Sequence, residues 1–225
     1  MLRLIFFLLF GSFLFANEIV SINQNSAKIH PTSYPIGTSG IVIHHYDKEH
    51  ASIVARAIVT GNDTIRFELF DALAQDALPR PKTLPQKGDE VILGYLYDRA
   101  LIIAPNLATY QAVASKIEEE ILHPDLFATE LSKTKHPVPS REDFKNFCNK
   151  YALAKIYIAF KDKTSIVDCY SFQQVGSLQV KSLGKNIKLP FYSRLKEIES
   201  SIFDFFGKKE IQNYDAYYKS LMEQK

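Results

Sequence analysis

The sequence predicts an α+β protein: an N-terminal β-rich meander or small barrel, then an α+β unit with amphipathic helices and a short sheet. Two observations carry this. From Ile19 to Pro105 apolar residues recur with a period of two, and from Asn106 onward the period lengthens to that of a helix. A third sets the class: of 225 residues 46% are hydrophobic and 23% charged, which supplies the apolar surface a folded core needs and excludes a wholly disordered chain. Nine Gly and ten Pro exclude collagen-like and Pro-rich repeats.

In chain order, Ile41 and Ile43 alternate with Val42 and His44, and the run Ile53 to Val59 follows. Thr60-Gly-Asn-Asp63 reads as a turn, and Ile65, Phe67 and Leu69 alternate with Arg66 and Glu68. Asn62-Asp-Thr64 matches a glycosylation acceptor, but Asn62 is better explained as a turn former. After a stretch punctuated by Pro79, Pro81 and Pro85, Lys87-Gly88-Asp89 leads into Val91, Leu93 and Tyr95. A turn at Tyr97-Asp98-Arg99 then returns the chain through Leu101-Ile-Ile103. Short strands at this spacing suit a barrel, which leaves no sticky edge.

Beyond Asn106, a candidate N-cap, Tyr110, Val113, Ala114, Ile117 and Ile121 mark one helix face. A shorter helix starts near Pro124, and Ser140 with Asp143 resembles a capping box opening a helix with Phe144, Phe147, Cys148 and Tyr151 on one stripe. Strands at 155–160 and 165–169 flank a hairpin turn at Asp162-Lys163, and a third strand runs within 172–180. A helix around Leu195, Ile198, Ile202 and Phe205 ends at Gly207, and a last helix carries Tyr214, Tyr217, Tyr218 and Leu221. The organisation expected is a signal peptide over 1–16, a β-rich domain over 17–105 and an α+β domain over 106–225.

The signal peptide rests on Arg3, the apolar run Leu4 to Phe15, and Ala16 before the polar Asn17-Glu18. Such a run spans roughly 18 Å as a helix, short of the ~30 Å hydrocarbon core, although an uncleaved anchor is the rival reading. Export would place the chain in the periplasm or at the cell surface. There Cys148 and Cys169 form either a disulfide, stabilising by ~3 kcal/mol in the chain-entropy model, or two buried thiols. Two cysteines at this spacing lack the second pair a zinc site needs.

Composition argues against several functions. Lys and Arg total 27 against 25 Asp and Glu, so no global basic field points to nucleic acid. In His44-His45-Tyr46-Asp47-Lys48-Glu49-His50 the first two imidazoles fall on opposite strand faces and cannot share an ion, so the segment reads as a solvated hairpin tip. His30, His123 and His136 stand alone near prolines, and there is no nucleophile elbow or phosphate loop. Glu118-Glu-Glu120 reads as a solvated face, and Asp168 beside Cys169 as an unremarkable strand residue. No catalytic residues, metal site, cofactor or small-molecule substrate is predicted.

The C-terminal stretch from Lys181 to Lys225 has nine basic and six acidic residues. A terminal lysine carries an ammonium and an α-carboxylate a few ångströms apart, a zwitterion that an aromatic trough with acidic and cationic ends can bind. Kringle domains of plasminogen are built that way.

Several segments bear a collective likeness: Leu78-Pro-Arg-Pro81, Lys87-Gly-Asp89, Leu101-Ile-Ile-Ala-Pro-Asn106, Cys148 with Ile156-Tyr-Ile158, Asp168-Cys-Tyr-Ser-Phe172, Pro190-Phe-Tyr-Ser-Arg194 and Asn213-Tyr-Asp-Ala-Tyr-Tyr218. In this order they resemble the N-terminal region of the bacterial plasminogen-binding protein family of the PgbA/PgbB type, found in ε-proteobacteria. The resemblance implies a secreted or surface-displayed, non-enzymatic protein that captures host plasminogen through lysine-dependent contacts. The family pattern adds a long Lys/Glu-rich tail ending in lysine, whereas this chain stops soon after Tyr218. The shared part is therefore the folded region, and this departure puts lysine-dependent capture at issue. Lys225 is the candidate contact; Lys208, Lys209 and Lys219 rank below it, because internal lysines lack the partnering α-carboxylate. The alternative expectation is a periplasmic or envelope-associated structural or assembly protein whose partners are other envelope proteins.

Overall fold

The computed structural model describes residues 17–71, 83–198 and 211–224. Six strands come first: β1 (Asn17–Asn23), β2 (Ser26–Ile29), β3 (Ser39–His45), β4 (Ala51–Gly61), β5 (Thr64–Glu68) and β6 (Glu90–Leu93). They close into an antiparallel barrel in the order β1-β2-β5-β4-β3-β6. The period-two pattern sorts its side chains. Ile19, Val42, Ala55, Ala57, Val59, Ile65 and Val91 form one buried cluster, with alanines at two positions of the long β4. Ile41 and Arg56 pair across β3 and β4 on the other face, yet both are buried. Something must therefore cover the outside of the barrel there.

The cover is a second sheet with helices on both faces. It comprises β7 (Arg99–Ile103), α1 (Leu107–Ala114), β8 (Glu120–Leu122), α2 (Pro124–Thr134), α3 (Arg141–Tyr151), β9 (Lys155–Ala159), β10 (Thr164–Asp168), β11 (Gln174–Leu178) and α4 (Tyr214–Glu223). Strand order is β11-β10-β9-β7-β8, with β7 parallel to both β8 and β9. Ala100, Ile102 and Ala104 pack with Val113 of α1. Leu101 and Ile103 join Phe127, Phe144, Phe147, Phe191, Tyr214 and Tyr218 in the larger cluster on the opposite face. The architecture is the β-rich unit followed by an α+β unit that the periodicities predict.

Three local expectations differ. Leu101–Ile103 does not return into the barrel but forms a strand between β8 and β9, and both its faces are buried, as an uninterrupted apolar run in a parallel sheet requires. Helix α1 stops at Ala114, and Ile121 lies in β8, because pairing with β7 captures residues 120–122. Glu119, drawn to Lys155 and Tyr157, fixes that exit. Leu195 and Ile198 pack against the core without helical backbone, and the rest of the helix expected there lies outside the described residues. By contrast, Ser140 and Asp143 form the anticipated capping box on α3.

Glu130 on α2 accepts from Lys150 at 2.6 Å, Lys133 at 3.0 Å and the Tyr151 hydroxyl at 2.9 Å. The Lys150 hydrogen bond, with those from Lys133 and Tyr151, outweighs partial burial and holds the carboxyl at about 2 against an ordinary 4.5. A depressed carboxylate pKa contributes stability above 4.5 that is lost as pH falls through 2. Both lysines are solvated, so the contribution is screened to about 1 kcal/mol. Glu130→Gln should lower the unfolding free energy obtained from urea denaturation at neutral pH by that amount, and the gap to the unaltered protein should shrink towards zero near pH 2.

Candidate binding cleft

The two sheets are joined by a buried carboxylate. Asp168, at the end of β10, is fully buried. Its Oδ2 accepts from the Ser39 backbone N–H at 2.9 Å, the Ser39 hydroxyl at 2.5 Å and the Tyr97 hydroxyl at 2.7 Å. Its Oδ1 accepts from the N–H groups of Tyr170 at 2.9 Å and Ser171 at 2.8 Å. Five donors satisfy the charge without a counter-ion. Burial, then the adjacent Asp168 charge, pushes the Tyr97 phenol far above its ordinary pKa, so it remains a donor. Beside this joint the Ser171 hydroxyl donates to the Gly37 carbonyl at 2.6 Å. Gly37 has φ +95°, and a Cβ there would sit 2.6 Å from that of Gln173, so the close approach of barrel and sheet requires glycine. The sequence reading of Asp168 as unremarkable is thus corrected: its carboxylate joins the two units.

Arg56 makes the second link. Its guanidinium lies 3.3 Å from the Tyr170 ring centroid and donates to Asn149 of α3 at 3.4 Å. Burial raises the nearby Asp71 carboxyl, but hydrogen bonds and charge from Lys145, with Asn149 and Arg56, more than offset this and hold it below its ordinary value.

Open α/β sheets bind ligands beyond the carboxyl ends of their parallel strands, where neighbouring connections diverge. Here the chain occupies that place itself. Ser182 N–H donates to the Phe160 carbonyl at 2.9 Å, Lys188 N–H to Pro105 at 2.8 Å and Tyr192 N–H to Ala104 at 2.7 Å. The Tyr214 hydroxyl adds a bond to Ile103 at 2.9 Å. Residues 182–192 and Tyr214 thus lie across the carboxyl ends of β7 and β9.

Open space lies instead at the seam between the units. A cleft of about 550 Å³ is lined by Ile36 of the β2–β3 connection, Phe160 and Asp162 of the β9–β10 hairpin, Gln174 of β11, and Lys219 and Glu223 of α4. Ile36 is 59% exposed on its rim. The Lys219 ammonium stands 5.4 Å from the Phe160 ring centroid. Apolar contact flanked by charges of both signs is suited to docking a polypeptide surface.

Among the residues singled out by sequence, Lys219 therefore lies in this cleft. Lys208, Lys209 and Lys225 lie outside the described residues, as does the segment 1–16. Cys148 of α3 and Cys169 after β10 are joined by a disulfide, their Cα atoms 6.5 Å apart. His44 meets Asp89 at 2.7 Å and His45 meets Glu90 at 3.0 Å, on adjacent residues of the β6 region, while His50 meets Asp47 in the hairpin tip at 2.8 Å. Among the described residues no group of three or more His, Cys, Asp or Glu could hold a metal, and no helix is long and apolar enough to cross a membrane. Sequence reasoning missed Glu223, whose position four residues after Lys219 was the available signal.

A family model described as plasminogen-binding protein pgbA N-terminal matches residues 15–222. Plasminogen-binding protein PgbA of Helicobacter pylori strain J99 is 26% identical over 212 residues, covering 92% of this chain and 46% of the relative. The same protein of strain 26695 gives the same identity and coverage. The chain thus spans about half the length of the curated relatives it matches. No solved structure matches it.

Proposed function

The chain belongs to the plasminogen-binding protein pgbA N-terminal family, and from that premise we propose that it is an exported, non-enzymatic binding protein that captures plasminogen at the cell surface through lysine-dependent contacts. The observation that carries the reading is the family match across nearly the whole folded chain. One structural fact supports it: the solvent-facing Lys219 lies in the open cleft at the seam. Lys225, Lys208, Lys209 and Lys219 are the candidate contacts.

The test is binding of the full chain to immobilised plasminogen with and without a free lysine analogue. Saturable binding that the analogue abolishes is expected, and binding indifferent to the analogue would remove the lysine-dependent mechanism. Protease added to intact cells should digest the protein, since capture requires exposure.

A second reading is an envelope-associated assembly protein. It is favoured by strand β11, which pairs with β10 and, among the described residues, has no strand on its other side. Such an edge beside a cleft can accept a partner's strand. This reading predicts envelope proteins in a pull-down and no sensitivity to the lysine analogue.

A further inference from the structure

An internal lysine can present a terminal lysine's pattern only if a carboxylate stands at a fixed separation from its ammonium and neither charge is already spent. Helical spacing supplies the first condition: residues i and i+4 face the same way with Cβ atoms about 5–6 Å apart. The second condition separates the lysines of this fold. Helices α2, α3 and α4 carry Lys133, Lys145, Lys150 and Lys219. Lys133 and Lys150 are both committed to Glu130, and Lys145 to Asp71. Among the described residues Lys219 makes no ion pair; its one polar engagement is the weak contact with the Phe160 ring. It is also the one of the four followed four residues later by a carboxylate, Glu223, which makes no hydrogen bond or ion pair with a described residue.

The faces of α4 complete the case. Tyr214, Tyr218 and Leu221 are buried in the core, which fixes the helix in rotation. Ala216, Lys219, Ser220 and Glu223 then form an exposed stripe, with small residues beside the two charges. Resting on the reading above, we propose that Lys219 and Glu223 together form an internal zwitterion that inserts into an aromatic trough with an acidic and a basic end, as a lysine-binding module of plasminogen offers. The trough's acidic end takes the Lys219 ammonium, its basic end takes the Glu223 carboxylate, and the Lys219 methylenes lie on its rings. The partner's charge pattern is the complement of the stripe.

The distinguishing experiment uses the full chain on immobilised plasminogen, comparing Lys219→Ala, Glu223→Gln and Lys225→Ala. Glu223→Gln preserves shape and every lysine, so a loss there separates a paired carboxylate from general basic charge. The expected result is at least about a tenfold weakening for each of the first two variants and little change for the third. Circular dichroism and thermal unfolding should be unchanged, because both residues are exposed. Binding retained by Lys219→Ala and Glu223→Gln but lost in Lys225→Ala overturns the inference and leaves the capture reading standing. A weakening by Lys219→Ala without one by Glu223→Gln overturns the zwitterion. No binding by the unaltered chain overturns both.

Discussion

Asp168→Ala is expected to destabilise the protein by about 3–5 kcal/mol, and to lower its melting temperature by roughly 10 °C or more. The change removes one acceptor group and strands five donors. Three of them, the backbone N–H groups of Ser39, Tyr170 and Ser171, cannot rotate to find another partner. The Ser39 and Tyr97 hydroxyls can rotate, but the Ser39 side chain is buried with the carboxylate it serves. Asp168→Asn keeps one carbonyl oxygen, which can still serve the Tyr170 and Ser171 N–H groups. Its amide NH₂ then faces the Ser39 N–H, donor against donor. A smaller loss, about 2 kcal/mol, is expected there. Chemical denaturation of the two variants beside the unaltered protein checks the order. Equal stability of all three would mean that the carboxylate does not hold the joint.

The role of Asp168 is set by residues far away in the chain, whereas most of the barrel is set locally. The strands of the barrel announce themselves because their signal is local: Ile65, Phe67 and the polar residues between them are enough to assign β5 and its buried face. The capping box at Ser140 is local too, as is the hairpin at Asp162-Lys163. Asp168 is different, because its function is defined by Ser39 and Tyr97, 129 and 71 residues away. Nothing at 168 itself says that these donors converge. The same holds for β7. Ala100 to Ile103 is a short apolar run that a barrel strand or a parallel strand could equally carry, and its partners in β8 and β9 decide the matter. The cleft was half legible. Lys219 and its spacing to Glu223 stand in the sequence, but that both are exposed and uncommitted depends on which acids reach the other lysines. That is a property of the packed helices.

Reducing the Cys148–Cys169 disulfide in the intact protein should cost about 3 kcal/mol, the value the chain-entropy model gives for a loop of 21 residues. The thiols so released remain in an apolar setting that tolerates them, since both cysteines are almost wholly buried among Phe144, Phe147 and Phe172. The protein should therefore stay folded at room temperature with a lower denaturation midpoint. The position of the bridge gives a second, sharper expectation. It ties α3 to the residue next to Asp168, so it restrains the chain that carries the Tyr170 and Ser171 donors. Bridge and carboxylate thus hold the same short segment from its two sides, the core and the barrel. Neighbouring restraints of this kind are not additive. In a cycle of Asp168→Ala with and without reduction, the loss on reduction should differ between the two backgrounds by more than about 0.5 kcal/mol. Additive losses would show that the helical core and the joint with the barrel respond independently, and that the segment after β10 transmits nothing between them.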